Sequence, residues 1–491
     1  MNLSRRRFAL LSTAAAATLA APAVIRVASA QGWSCPRPKN VILMISDGAG
    51  FHTWTAASWY EFGELGRQVY DRFPVKTLMT TFPLNTSSKP TNDTTPKVSY
   101  EAAKAWSLAP GQGDLGGEIT KKKYPNFFAG YEYVKKDYTD SAAAGTALAA
   151  GIKTYNNSIN FDNMGKPVRM VSEFAKSAGK STGVVSSVQI SHATPAAFAA
   201  HNVSRNNYAE IGREMIEDGL CDVIMGAGHP MFDNDGRYRA PSADKAFRYV
   251  GGPDTYFKAA TGRTSYQWIE TKADFEKLAR GELKLDKPKV LGVAQVHDTL
   301  QFNRSGEGMG KLVANVPDLA TMSLGALQVL SRNEKGFFLM IEGGAVDWAA
   351  HANDTARIIE EQIDFNAAVR AVVGWIERNG GFEQNLLVVT TDHGNGMAYG
   401  PESDRFAYQP VINRGKGQLP DVHWHYDTHT NELVPVWAAG PGAEQLVAAS
   451  TGEDPHTALV GWGDVRRYRD NTDIGRLLIA AVAAEQRASA N

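Results

Sequence analysis

The chain has 491 residues, of which 43% are hydrophobic and 21% charged, a balance that excludes an intrinsically disordered protein and supports a large apolar core. It carries 51 Lys plus Arg against 52 Asp plus Glu, so its charge gives no reason to expect nucleic acid as a dedicated partner. The length is that of one large domain with insertions, or of two domains.

Residues 1–30 are typical of an export signal. Three arginines, Arg5 to Arg7, precede an Ala-rich apolar run, and Ala28-Ser29-Ala30 matches a small-x-small cleavage site. The arginines resemble a twin-arginine signal, and an ordinary secretory signal is the alternative. Both predict a periplasmic or secreted protein whose folded part, a single domain, covers residues 31–491. No other stretch is long and apolar enough to span a membrane.

Cysteine occurs twice, as Cys35 and Cys221. Two cysteines exclude a Cys-based zinc site and allow one disulfide, whose formation the sequence leaves open. Any metal must therefore be held by Asp, Glu, His or hydroxyl groups.

The first structural signal is the continuous apolar run Asn40–Ser46, which predicts a strand covered on both faces. It ends at Asp47-Gly48, and a helical pattern follows to about Phe62. Residues 82–128 are rich in Ser, Thr, Pro, Asn, Gly and Lys, so we predict a long surface insertion there, partly ordered around residues 100–106.

An Ala-rich segment after Asp137-Tyr138-Thr139-Asp140-Ser141 predicts a helix that stops near Gly151. Ser141 then lies at the start of the helix, where free N–H groups and the helix dipole attract an anion. Such a serine can act as a nucleophile, and a simple N-capping role for Thr139, Asp140 or Ser141 is the alternative.

Further apolar runs alternate with helical patterns and predict strands at residues 182–189, 222–226, 290–294, 337–341, 386–391 and 434–438. This alternation predicts an α/β fold, a three-layer sandwich with a large, mainly parallel central sheet flanked by helices. The polar segments 229–288 and 399–430 are predicted to be further insertions. Thr194 is predicted to cap a helix that begins at Pro195.

Acidic and histidine side chains follow several of these strands, which places them at the sheet edge where open α/β sheets bind ligands. They are Asp47, His192 with Thr194, Glu342, and Asp392 with His393. Asp347 and His351 follow Glu342 four residues apart, so on a helix they share one face. Alone, such a pair is more often an exposed ion pair. Together, carboxylate–imidazole sets suit Zn²⁺ and all-oxygen sets suit Mg²⁺.

Several blocks of the sequence resemble the alkaline phosphatase family, in the family's order, from residue 40 to about 442. They are Thr139–Ala147, Gly151–Asn156, His192–Ala197 with Ser204-Arg205, Glu342–His351, Thr391–His393, and His429-Thr430 with Val434-Pro435-Val436. Each block is weakly specific alone, and the ordered set is highly specific.

The resemblance implies the role of each matching residue. Ser141 would be phosphorylated, and Arg205 would bind the phosphate through its guanidinium fork. One zinc, activating the hydrolytic water, would be held by Asp347, His351 and His429. A second zinc, activating Ser141, would be held by Asp392 and His393. Asp47 would bridge this second zinc and a magnesium that Thr194 and Glu342 also bind.

Two positions depart from the enterobacterial pattern of the family. His192 stands where that pattern has Asp, and Trp348 where it has Lys, as in other bacterial members. Loss of the Lys removes a cation near the phosphate, so both residues are expected to affect phosphate or magnesium binding. His425 is the fallback for His429 as a zinc ligand.

The remaining signals favour ordinary structural roles. Asp233-Asn234-Asp235-Gly236 lacks the rest of a calcium-binding loop, and a tight turn is the better interpretation. Five other histidines are expected to be hydrogen-bonded or exposed: His52, His201, His229, His297 and His456.

The resemblance therefore implies a secreted, metal-dependent phosphomonoesterase with two Zn²⁺ and one Mg²⁺, a phosphoserine intermediate, an alkaline pH optimum and a homodimeric assembly. A phosphodiesterase of the same superfamily, or a secreted metal- or phosphate-binding protein without turnover, are the alternatives. No Cys or Ser stands in the C/S-x-P-x-R context of sulfatases.

Overall fold

A computed structural model of the chain describes residues 37–117, 122–448 and 450–483. The predicted export signal and Cys35 lie outside the described residues. Cys221 is buried in the core. Among the described residues, no helix combines the length and the apolar character needed to cross a bilayer.

The strands follow one another along the chain as β1 Asn40–Ser46, β2 Val75–Thr80, β3 Asp114–Gly116, β4 Lys123–Pro125, β5 Ser181–Gln189, β6 Val223–Ala227, β7 Tyr266–Ile269, β8 Lys289–Val293, β9 Phe337–Gly343, β10 Asn385–Thr390, β11 Gly394–Asn395, β12 Ala398–Tyr399, β13 His423–Trp424, β14 His429–Thr430, β15 Val434–Ala439, β16 Gly452–Glu453 and β17 Arg467–Asp470.

The α-helices are α1 Phe51–Phe62, α2 Ala102–Ala105, α3 Ala129–Val134, α4 Ser141–Ala150, α5 Val171–Ser177, α6 Ala193–Ala197, α7 Tyr208–Arg213, α8 Pro253–Ala260, α9 Lys272–Ala279, α10 Leu319–Leu330, α11 Ala345–Ala352, α12 Thr355–Arg378, α13 Gly381–Gln384, α14 Gln445–Ala448 and α15 Asn471–Val482. Short 3-10 helices cover Val69–Arg72, Asp244–Val250 and Pro455–Val460, and a π helix covers Glu214–Asp218.

In the described chain, eleven strands form one sheet in the order β16-β17-β2-β15-β10-β1-β9-β5-β6-β8-β7. The block from β10 to β7 is parallel throughout, while β15 runs antiparallel to both β10 and β2. The predicted mainly parallel α/β sheet is confirmed, and β1 lies near its middle.

Both faces of this sheet are covered by helices, as the apolar run of β1 predicts. Val41, Leu43 and Ile45 pack in the core on the side of α4, α5, α6 and α15. Ile42 and Met44 pack on the opposite side, with α1, α10 and α12. The result is the predicted three-layer sandwich, in which every residue of β1 is buried.

A third, largely aromatic core joins two segments that are far apart in sequence. Tyr124 and Tyr131 from the first segment pack with Tyr399, Tyr408 and Tyr426 from the second. The end of the predicted 82–128 insertion, together with the helix α3 that follows it, and the predicted insertion 399–430 therefore support each other beside the sheet.

The helix after β5 begins earlier than predicted. It spans Ala193–Ala197 with His192 at the N-cap position, so the predicted capping role of Thr194 is wrong. Thr194 instead lies within the first turn, where its Oγ1 donates a hydrogen bond of 3.5 Å to Asp47 Oδ2. The predicted strands do not include β2, β7, β16 and β17 of the large sheet, nor the short strands β3, β4 and β11 to β14 outside it.

Candidate metal centre and nucleophile

Three carboxylates reach one place because three adjacent parallel strands end there. Ile45 of β1 pairs with Glu342 of β9 on one side and with Thr390 of β10 on the other. Asp47 and Asp392, each two residues further along, therefore leave the sheet side by side at its carboxyl edge. All three carboxylate-bearing residues are fully or almost fully buried.

The first cluster joins Asp347 and His351 of α11 to His429 of β14. Asp347 Oδ2 lies 3.3 Å from His351 Nε2, and Asp347 Oδ1 lies 3.3 Å from His429 Nε2. One potential ligand atom from each residue falls within 4.8 Å of the others, so the cluster could hold a metal ion. The four-residue spacing of Asp347 and His351 thus places both side chains on one face of α11, as the sequence predicted.

The second cluster consists of Asp47, Asp392 and His393. His393 Nε2 lies 3.1 Å from Asp392 Oδ2 and 3.5 Å from Asp47 Oδ1. The same nitrogen lies 3.2 Å from Ser141 Oγ. The rings of His393 and His429 stack with their centroids 3.7 Å apart, so the two clusters are neighbours.

The three cluster histidines are oriented by the main chain. In each ring, Nδ1 lies within hydrogen-bonding distance of a backbone carbonyl. His351 Nδ1 lies 2.7 Å from Asp427 O, His429 Nδ1 lies 2.8 Å from Thr139 O, and His393 Nδ1 lies 3.2 Å from Gly394 O. Because Nδ1–H can donate to these carbonyls, Nε2 keeps its lone pair and faces the carboxylates. This is the arrangement of imidazoles that bind metal through Nε2.

A third, oxygen-rich set lies beside the second cluster and contains Asp47, Thr194 and Glu342. Ser186 Oγ donates a hydrogen bond to Glu342 Oε2. Within the described chain, Asp47 Oδ1, Asp392 Oδ2 and Glu342 Oε1 are buried without a hydrogen-bond partner. Buried carboxylate oxygens without a donor are costly unless a cation satisfies them, so these residues fit bound metal ions.

The electrostatics of the acids support the same conclusion. Burial raises the pKa of Asp47 well above its usual range, and the nearby Asp392, Asp347 and Glu342 raise it further. Burial also raises the pKa of Glu342 to about 7. Against burial, His351 and His429 hold the pKa of Asp347 well below its usual range. Against burial, His393 likewise lowers the pKa of Asp392. Ionisation of Asp47 and Glu342 beside these carboxylates is therefore unfavourable unless a cation lies among them.

Helix α4 places the candidate nucleophile. Asp140 is its N-cap, and the Oδ1 atom accepts hydrogen bonds of 3.0 Å from Ala143 N and from Asn157 N. Gly151 ends the helix in the left-handed region, with φ +69°. Ser141 is therefore the first helical residue, and its hydroxyl points to the second cluster. Of the capping alternatives, Asp140 is the cap.

Arg205 lies next to this helix start. Its Nη1 donates a hydrogen bond of 3.0 Å to Asp140 Oδ2. His192 Nε2 lies 3.5 Å from Arg205 Nη2, and the rings of His192 and Trp348 lie 5.7 Å apart. Burial, followed by the Arg205 charge, lowers the pKa of His192 to about 3. The structure thus brings His192 and Trp348 together beside Arg205.

Other histidines lie outside the two clusters. His425 Nε2 and Ser403 Oγ form a hydrogen bond of 2.7 Å, and neither cluster of the described chain includes His425. His425 therefore lies apart from the two candidate clusters. His229 is bonded to Glu270 at 3.0 Å. Residues 233–236 form the predicted tight turn, closed by a hydrogen bond from Gly236 N to Asp233 O.

The contacts of several supporting residues were not predicted from the sequence. Asn395 Nδ2 donates to Asp347 Oδ1 at 2.7 Å, and Thr391 Oγ1, in the matching block Thr391–His393, accepts from Ala49 N at 3.0 Å. Asn395 lies two residues after His393, so its position was a usable signal. Ser186 lies inside a buried strand and carries no comparable signal. The capping residue Asp140 was considered, but its bond to Arg205 was not.

Comparison with known proteins shows the family of the chain. A model of the family described as alkaline phosphatase matches residues 106–419. The chain belongs to the alkaline phosphatase family. It is 37% identical to alkaline phosphatase 4 of Bacillus subtilis over 267 residues, which is 52% of this chain and 50% of that protein. It is 26% identical to alkaline phosphatase of Escherichia coli over 378 residues, or 68% of this chain and 75% of that protein.

The match thus spans about half the length of the Bacillus subtilis relative. Solved alkaline phosphatases share the fold of this member of the family. That of the Antarctic bacterium TAB5 superimposes with a TM-score of 0.58 at 23% identity, covering 92% of this chain and all of that chain. That of Thermus thermophilus gives a TM-score of 0.58 at 21% identity and covers 91% of both chains.

Proposed function

We propose that this chain is a metal-dependent phosphomonoesterase that acts through a phosphoserine on Ser141. The observation that carries the proposal is the position of Ser141 Oγ, 3.2 Å from His393 Nε2 and at the N-terminus of α4. Membership of the alkaline phosphatase family supports it. We also infer an alkaline pH optimum, as the resemblance implies.

The donor sets suggest which metals the site takes. We infer one Zn²⁺ held by Asp347, His351 and His429, and a second held by Asp392 and His393 with Asp47. The oxygen-only set of Asp47, Thr194 and Glu342 suits Mg²⁺. When bound, these ions supply positive charge that stabilises the serine alkoxide and the phosphoryl oxygens.

The side chains of the chain itself position the substrate. The ion pair with Asp140 fixes one edge of the Arg205 guanidinium, which leaves its other N–H groups for phosphate oxygens. The free N–H groups at the start of α4 favour the same negative charge. Ser141 Oγ then attacks phosphorus, the P–O bond to the leaving group breaks, and the alcohol departs with a proton. Water cleaves the phosphoserine in a second displacement and releases phosphate.

The decisive experiment replaces the nucleophile. Ser141→Ala should abolish nearly all hydrolysis of an aryl phosphate while the zinc content, measured by mass spectrometry, stays near that of the wild type. Ser177→Ala, at an exposed serine of α5, is the matched control and should keep full activity. Substantial turnover by Ser141→Ala would disprove the nucleophile assignment. A higher rate on diesters than on monoesters would favour the phosphodiesterase alternative.

We further propose export to the periplasm or the medium, supported by the Arg5–Arg7 signal pattern and the cleavage-like Ala28-Ser29-Ala30. Replacing Arg5 and Arg6 by Lys should retain the precursor in the cytoplasm if the route is the twin-arginine pathway. A homodimer, which the resemblance implies, is tested by light scattering of the purified chain.

A further inference from the structure

A row of aromatic rings extends away from the phosphate end of the site. Trp348 and His192 lie 5.7 Å apart between ring centroids, His192 and Tyr208 lie 6.4 Å apart with nearly parallel planes, and Tyr208 and Tyr249 lie 5.0 Å apart. We call these four residues the aromatic wall. They come from the start of α6, from α7, from α11 and from the segment predicted as the 229–288 insertion.

The aromatic wall lies beside the guanidinium group of Arg205. His192 Nε2 lies 3.5 Å from Arg205 Nη2, and Tyr208 follows Arg205 by three residues. A phosphate held by Arg205 therefore has the wall beside it. The cluster around Asp347 lies at the Trp348 end of the wall, because Trp348 follows Asp347 directly in α11. Tyr208 and Tyr249 form the other end of the row.

The inner members of the wall are buried, and two of its rings keep exposed surface. Tyr249 and His192 are 6% and 8% exposed. Tyr208 and Trp348 are only partly buried. In the described chain, the Tyr208 hydroxyl has no hydrogen bond to another residue. The Tyr208 ring is partly exposed and packs against Tyr249 on one side, so it is suited to stack against a bound group rather than to complete the core.

We propose that the aromatic wall binds the leaving group of the substrate and favours phosphate monoesters with a planar ring, such as aryl or nucleoside monophosphates, over small alkyl monoesters. This inference rests on the proposed phosphomonoesterase function and names the substrate class of the same site. Tyr208 is the specificity-determining residue, because it is the partly exposed ring of the wall that is not next to a cluster ligand. Stacking on one aromatic face corresponds to roughly a 5- to 10-fold gain in affinity.

Binding of two phosphonates, which cannot be hydrolysed, tests the wall without turnover. Calorimetry on the full chain incubated with zinc and magnesium should show tighter binding of phenylphosphonate than of ethylphosphonate. Tyr208→Leu should weaken phenylphosphonate about 5- to 10-fold and change ethylphosphonate less than twofold. Tyr208→Phe should keep the preference, because the ring remains. Tyr238→Leu, which removes a 68% exposed ring elsewhere, is the control and should match the wild type.

The outcomes separate the two proposals. Equal weakening of both phosphonates in Tyr208→Leu, no weakening of either, or binding of neither by the wild type would overturn the aromatic wall. Loss of the preference for phenylphosphonate over ethylphosphonate in Tyr208→Leu would support the aromatic wall. Hydrolysis of phenyl phosphate by the wild type is measured separately, and its absence beside an intact preference for phenylphosphonate would overturn the phosphomonoesterase proposal alone.

Discussion

Asp140 and Arg205 form an ion pair of 3.0 Å through which one carboxylate serves two purposes. Asp140 Oδ2 holds the guanidinium, while Asp140 Oδ1 caps the helix that begins at Ser141. The side chain of Asp140 therefore positions both Arg205, which would bind phosphate, and the helix start that carries Ser141, which would attack it. A change at Asp140 moves both, and the two effects can be separated by choice of substitution.

Asp140→Asn should weaken phosphate binding while it keeps the helix cap, since an amide oxygen still accepts from Ala143 N. The neutral amide no longer holds Arg205 by charge, so the inhibition constant of inorganic phosphate should rise about 5- to 10-fold. The melting temperature should change little. Asp140→Ala should show the same phosphate effect together with a loss of about 1 kcal/mol in stability, because the cap is gone. Unchanged inhibition by phosphate in both variants would contradict the proposed role of the ion pair.

Asp47→Asn should have opposite effects on stability in the chelated and the metal-loaded protein. Because burial and three nearby carboxylates raise the pKa of Asp47 in the fold, its ionised form destabilises the fold at pH 7 when no cation is bound. The neutral amide removes that penalty, so the melting temperature of the chelated variant should rise by about 2–6 °C. With zinc and magnesium present, the variant should melt lower than the wild type and hold less metal.

Calorimetry with and without chelator measures both effects of Asp47→Asn. Asp254→Asn, at an exposed position in α8, is the control and should show neither. A variant that is less stable than the wild type in both conditions would show that Asp47 stabilises the fold without metal.

His192→Asp combined with Trp348→Lys should tighten inhibition by inorganic phosphate. The new ammonium group would add a cation near Arg205, and the new carboxylate replaces a ring that burial and Arg205 keep neutral. We expect the inhibition constant to fall about 5- to 10-fold, measured by initial rates at rising phosphate concentration. An inhibition constant equal to that of the wild type would count against a role for these two positions in phosphate binding.

His201 should make the stability of the fold depend on pH. Against burial, which alone would lower it, the carboxylates of Glu173 and Glu214 raise the pKa of His201 to about 9. A raised histidine pKa stabilises the fold fully below about pH 6.5, and this contribution is lost as the pH rises through 9. The loss should be on the order of 2–3 kcal/mol.

Urea unfolding at pH 6, 8 and 10 checks the His201 prediction. His201→Gln should remove most of the pH dependence in this window, and His456→Gln, at a half-exposed histidine, should leave it unchanged. If the free energy of unfolding changes equally with pH in the wild type and in His201→Gln, the prediction is contradicted.

The central strands could be predicted because their burial on both faces leaves a continuous apolar run, as in β1 and β9. The strand β17, with the sequence Arg-Tyr-Arg-Asp, could not, since it is supported by pairing with the distant strand β2 and with β16. Its charged side chains carry no period that would indicate a strand. Long-range pairing overrides local pattern at such edges.

The candidate site was predictable to the extent that its residues sit at strand ends. Asp47, Glu342 and Asp392 could be placed together from their strands alone. The start of α6 was not, because Pro195 is acceptable in the first helical turn as well as at its first position, and the pattern cannot distinguish these. The contacts of Ser186 and Asn395 depend on how neighbouring elements approach each other in three dimensions.

The backbone carbonyls that orient His351, His393 and His429 have one more consequence. Any residue type offers the same carbonyl, so the side chains of two of the three accepting positions, Thr139 and Asp427, are not what sets the histidine tautomers. Side-chain substitutions at these positions leave the orientation of the imidazole rings unchanged, provided that the backbone conformation is kept. Mutational scanning for side-chain chemistry would therefore miss this part of the site, whereas a proline or an insertion that displaces these peptides would disable it.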